Sequence, residues 1–117
     1  METATAKHGI EKLASDLYAQ AGPGSEEPAP DEWRRGAGRR IIRVPVEIER
    51  PGKRTVRAHT LNVGPDSMCV LSRDMLGARE RVRVRLAHEP GAAWHAAAVV
   101  HCTDTVGGFK VGLRAEG

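Results

Sequence analysis

Ile41-Ile42-Arg43-Val44-Pro45-Val46-Glu47-Ile48, residues 41–48, is where the chain changes its period. Upstream, apolar residues recur at helical spacing or are missing altogether. From here on they alternate in twos, as in a strand that turns one face to a core. The change predicts a first strand over residues 41–48, and the rest of the chain continues it.

The turn Arg50-Pro51-Gly52-Lys53 leads to a second expected strand, residues 55–61. Asn62-Val63-Gly64-Pro65-Asp66 then turns the chain into Met68-Cys69-Val70-Leu71. After Gly77 comes Val82-Arg83-Val84-Arg85-Leu86, whose strict alternation puts Arg83 and Arg85 on the solvent face. Residues 88–91 form a further turn. A long strand, residues 94–102, then pairs across Val106-Gly107-Gly108 with residues 109–113, and Trp94 and Phe109 are expected in the core. Six short strands without crossover helices make the fold class mainly β, a small six-stranded antiparallel β-barrel, closed or nearly so.

Three segments follow. Residues 1–21 are an N-terminal amphipathic helix, with Ile10, Leu13, Ala14, Leu17 and Ala21 on one stripe and helical spacing over residues 5–20. Gly22-Pro23-Gly24 ends it. That stripe docks on its own domain, on a second copy, or on a protein partner. Residues 22–33 carry little apolar content to bury and read as a flexible linker, and residues 34–117 are the barrel.

Charge divides along the same boundary. Residues 1–31 carry a net −4, whereas residues 32–117 carry +7, within a total of +3. A basic, arginine-rich domain favours a phosphate-bearing partner. No apolar run is long enough to span a membrane, and Met1-Glu2-Thr3 does not open a signal peptide. Cys69 and Cys102, in apolar strand settings, read as buried thiols in a reducing cytoplasm.

Arginine density peaks at Arg39-Arg40-Ile41-Ile42-Arg43. Residues four apart on an extended chain point the same way, about 13 Å apart, so Arg39 and Arg43 can face one ligand. The guanidinium fork suits phosphate through paired, charge-assisted hydrogen bonds and can stack on a purine. The other reading of such a run is a solvated basic edge that guards a strand. The histidines lack metal-ligand spacing, no P-loop or dinucleotide fingerprint is present, and no acid/base set points to an enzyme. Nucleic-acid binding has the charge but few aromatics for stacking, with Trp33 beside Arg34-Arg35 the one candidate.

Arg39-x-x-x-Arg43 followed by Asn62-x-Gly64-x-x-Ser67 resembles the PilZ family, whose signature is R-x-x-x-R and then [D/N]-x-S-x-x-G. Leu71-Ser72-Arg73, Val99-Val100-His101-Cys102 and the closing Gly107 to Leu113 run agree, so the similarity covers residues 34–115. PilZ domains are six-stranded barrels that bind the bacterial second messenger cyclic di-GMP. The resemblance therefore implies a non-enzymatic cyclic di-GMP receptor for signal transduction, needing no cofactor or metal. Its ligand-binding residues would be Arg39, Arg40, Arg43, Asn62, Gly64 and Ser67. Arg39 and Arg43 would grip phosphates and stack on guanine, while Asn62 would read a guanine edge. Residues 32–43 would order on binding and reposition the helix.

The second motif is degenerate. Gly64 stands where the family has Ser, Ser67 stands where it has Gly, and Asp66 adds a negative charge. Ser67 is expected to strain the backbone if its turn needs positive φ. The alternative reading is a PilZ adaptor that works through protein contacts without nucleotide.

Overall fold

The computed structural model describes residues 8–25, 38–89 and 91–116. Strand β1 (His8–Gly9) leads into helix α1 (Ile10–Ala21) and a 3-10 turn at Pro23–Ser25. Strands β2 (Arg40–Ile41), β3 (Pro45–Glu49), β4 (Val56–Val63), β5 (Ser67–Ser72), β6 (Arg81–Leu86), β7 (His95–Thr105) and β8 (Gly108–Arg114) follow. Strands β7-β6-β3-β4-β5-β8 are neighbours in that order, and β8 pairs back onto β7. That closes the expected six-stranded antiparallel barrel.

Period two builds the core. Val46, Ile48, Val82, Val84, Val99, Val111 and Leu113 alternate inward and are almost fully buried. The stripe Ile10, Leu13, Ala14 and Leu17 joins the same core, so α1 docks on its own barrel. Its apolar face is thereby used inside the domain, and the outward residues Glu11, Lys12, Ser15 and Asp16 are exposed.

The structure corrects the helix start. Gly9 is its N-cap, without a side-chain cap, and His8 and Gly9 pair in parallel with His95 and Ala96. β8 pairs with β7 only from Ala98 onward, so the first residues of β7 keep an edge that β1 takes. Residues 5–7 lie outside the described residues, as do 26–33 of the expected linker.

The first expected strand is also broken, into β2 and β3. β2 pairs with the end of β4, Arg40 to Val63 and Ile41 to Asn62, while β3 pairs with its beginning. Buried Thr60 bridges the gap. Its hydroxyl donates to the Ile42 carbonyl at 2.5 Å and accepts from the Val44 N–H at 2.9 Å. Pro45, which has no N–H to offer a ladder, opens β3. This break sets Arg39 and Arg40 beside the β4–β5 turn.

At the other end of the barrel, Val106-Gly107 turns β7 into β8. Gly108 has φ 149°, and a Cβ there would run into the Ser72 carbonyl oxygen, so only glycine fits.

Candidate anion-binding groove

Arg39 is the centre of the site. Its Nε donates to Asn62 Oδ1 at 2.6 Å and its Nη1 donates to Ser67 Oγ at 3.0 Å. The two sequence motifs, 23 and 28 residues apart along the chain, therefore meet through one guanidinium.

Gly64 and Ser67 explain this geometry. Gly64 is buried, and a Cβ there would sit 3.0 Å from Arg39 Nη1, so a larger residue crowds the guanidinium. Ser67 supplies the hydroxyl from three positions further on, and its carbonyl accepts the Gly64 N–H at 2.8 Å. The backbone strain expected at Ser67 is absent. Among described residues Arg79 is the one non-glycine with positive φ, and Ser67 opens β5 in ordinary strand geometry. Asp66 is exposed.

The other two arginines take different places. Arg40 turns to the helix, where its Nη1 donates to the Tyr18 carbonyl at 2.9 Å and its guanidinium stacks 3.9 Å from the Tyr18 ring centre. A cation there also suits the helix C-terminus. Arg43 is exposed and does not line the groove around Arg39.

That groove, about 670 Å³, runs from Arg39, Asn62 and Ser67 across β5 and β8 to β7. Strand register explains its floor. Asn62 pairs with Cys69, Cys69 with Gly112, and Gly112 with His101, so the four lie in one row across the sheet. Two small residues, Cys69 and Gly112, form the middle of that row and leave a depression. Lys110 and Arg114 flank Gly112 on the same face of β8, and all three line the groove. Arg39, Lys110 and Arg114 contribute cations, and no carboxylate is among the described residues that line it.

His101 and Lys110 carry no motif of their own, but a count finds them. Matching residues outward from the two-residue turn Val106-Gly107 gives Thr105 with Gly108, Thr103 with Lys110, and His101 with Gly112.

Three arginines elsewhere on the barrel are neutralised by carboxylates. Arg83 donates from Nε to Glu49 Oε1 at 2.6 Å and Arg85 does so to Glu47 at 2.9 Å, each across the β3–β6 ladder. Both stack over Trp94, at 5.6 Å and 4.4 Å from its ring centre. Trp94 thus covers the outer face instead of joining the expected core, whereas Phe109 packs against the core. Arg50 forms a two-pronged pair with Glu80, at 2.7 and 3.0 Å. The Arg50 hydrogen bonds hold the Glu80 carboxyl below the usual carboxylate range, against an opposing desolvation cost.

Neither cysteine is in a disulfide. Cys69 is buried on the groove floor, and Cys102 is half-buried and accepts the Leu76 N–H. Among the described residues no His/Cys/Asp/Glu group could hold a metal ion, and no helix is long and apolar enough to cross a membrane. No protein-family model matches the chain, and no curated protein matches it.

Proposed function

We propose that the chain is a PilZ-type receptor domain and that this groove binds cyclic di-GMP without catalysis. The observation that carries the reading is Arg39, which links Asn62 and Ser67 at one end of a cation-lined groove without a carboxylate among its described residues. Its Nη2 group makes no hydrogen bond among the described residues, which suits a phosphate oxygen approaching from the groove. Ser67 replaces by position the hydroxyl that Gly64 lacks, so the degenerate motif keeps a polar corner. Asn62 already accepts from Arg39 through its amide oxygen, and its NH₂ can donate to a guanine edge.

Calorimetry with cyclic di-GMP at high micromolar protein tests the reading. The expected result is saturable heat that Arg39→Ala removes. No heat, or heat unchanged in the Arg39→Ala Arg43→Ala double variant, overturns it.

One observation favours the adaptor reading. Two edges of the Arg39 guanidinium are already satisfied within the protein, as for an arginine that only braces the β4–β5 turn. The double variant Gly64→Ser Ser67→Gly separates the two. It restores the family pattern and removes one internal partner of Arg39. Tighter nucleotide binding supports the receptor, and no binding in either form supports the adaptor.

A further inference from the structure

We infer that the far side of the groove is a second half of the ligand site, in which His101 is a stacking platform and Lys110 a separate phosphate contact. This rests on the groove being a nucleotide site, and it assigns the ligand class as a nucleotide with phosphates more than one base-width apart.

Three placements carry it. First, the His101 ring lies flat across Gly112. A Cβ on Gly112 would run into Nε2 and lie within 3.0 Å of Cε1, so glycine is what allows the imidazole to lie down on β8. The residue remains exposed, which leaves a planar face toward the groove. Stacking of a base on such a ring tolerates any purine and holds it parallel to the floor.

Second, Lys110 and Arg114 bracket that platform. Four residues of strand place their backbones about 13 Å apart on one face. Arg114 pairs with Ser67, the partner of Arg39, so it belongs to the arginine end. Lys110 pairs with Leu71 and with Thr103, at the opposite end. The cations therefore stand at two ends, with the platform between them.

Third, the floor spans strands. From Asn62 to His101 the row crosses three strand intervals, about 14 Å in all at the usual spacing. A mononucleotide engages one end of such a site. A dinucleotide can place one phosphate by Arg39 and Arg114, lay a base on His101, and reach Lys110 with its second phosphate.

Amide NMR and calorimetry on the full chain test this with three probes, cyclic di-GMP, GTP and inorganic pyrophosphate. Cyclic di-GMP is expected to shift the amides of both Asn62 and Gly112. His101→Ala and Lys110→Ala should each weaken it by about tenfold, the scale of one lost charged or stacking contact. Gly112→Ala, which lifts the imidazole off the strand, should weaken it similarly while circular dichroism stays unchanged. Pyrophosphate should bind weakly and ignore His101→Ala. If cyclic di-GMP binds the His101→Ala and Lys110→Ala variants as well as it binds the wild type, this inference fails and the receptor reading stands. If cyclic di-GMP is silent but GTP binds and His101→Ala weakens it, the receptor reading and the separated-phosphate ligand class both fail, and the His101 platform alone stands. Silence of all three probes overturns both.

Discussion

The β3–β6 face and the groove over β5, β8 and β7 are both rich in cations, yet they are built for opposite ends. On the first, Arg83 and Arg85 each sit opposite a glutamate in the ladder and share Trp94 as a cover. On the second, no carboxylate stands among the described residues that line the groove with Arg39, Lys110 and Arg114, and the Arg39 guanidinium is fixed by an amide oxygen and a hydroxyl. The count of arginines is similar, but the field left over for an incoming anion is not. A basic composition therefore says little until each cation has been matched with its cross-strand neighbour.

Both faces depend on one core, and the largest effect should come from disturbing it. Leu17→Ala removes a fully buried contact between α1 and the barrel and should cost about 2–5 kcal/mol. Denaturant melts followed by tryptophan fluorescence in a Trp33→Phe background, which leaves Trp94 as the reporter, and by far-ultraviolet dichroism should shift together. Separate transitions would mean that the two faces are not one cooperative unit.

The paired side comes next. Glu80→Gln should destabilise by about 2 kcal/mol, because it leaves Arg50, mostly buried, without its charge partner. Since folding lowers the Glu80 pKa, its stabilisation is complete above the ordinary carboxylate range. It is lost as the pH falls through the lower folded value. The stability gap between wild type and variant should therefore be constant near neutrality and close in acid. A gap that persists at the lowest pH would mean that the carboxylate charge is irrelevant.

A direct way to blur the two faces is Glu47→Gln with Glu49→Gln. These pairs are partly exposed, so the stability cost should be about 1 kcal/mol or less. The unpaired arginines should then draw polyanions, and heparin retention should rise and fall steeply with salt. Unchanged retention would show that pairing is not what separates the two faces.

The smallest effect is expected at Ser67→Ala. It removes one of two acceptors for Arg39 and should cost about 0.5 kcal/mol, the low end for one part-buried hydrogen bond, with the β4–β5 hairpin intact by NMR. A larger loss would make Arg39 chiefly a brace.

Much of the molecule is written locally. Alternation in Val82 to Leu86 fixes which side chains enter the core, because a strand has only two faces. The stripe Ile10 to Leu17 fixes a helix that must bury one side, and turn glycines such as Gly107 fix where strands reverse. With a two-residue turn even the register of His101 with Gly112 is legible. The break between β2 and β3 is not, because it depends on the Thr60 hydroxyl reaching across to Ile42 and Val44, which only the paired strands allow. Nor could spacing tell that Arg40 stacks on Tyr18, or that Trp94 lies outside under two arginines. The sequence by itself determined the barrel, its helix and the two motifs, since period and turn chemistry act over a few residues. Which arginines are neutralised and which line the groove was decided by strand closure, since charge pairing depends on neighbours brought together from distant parts of the chain.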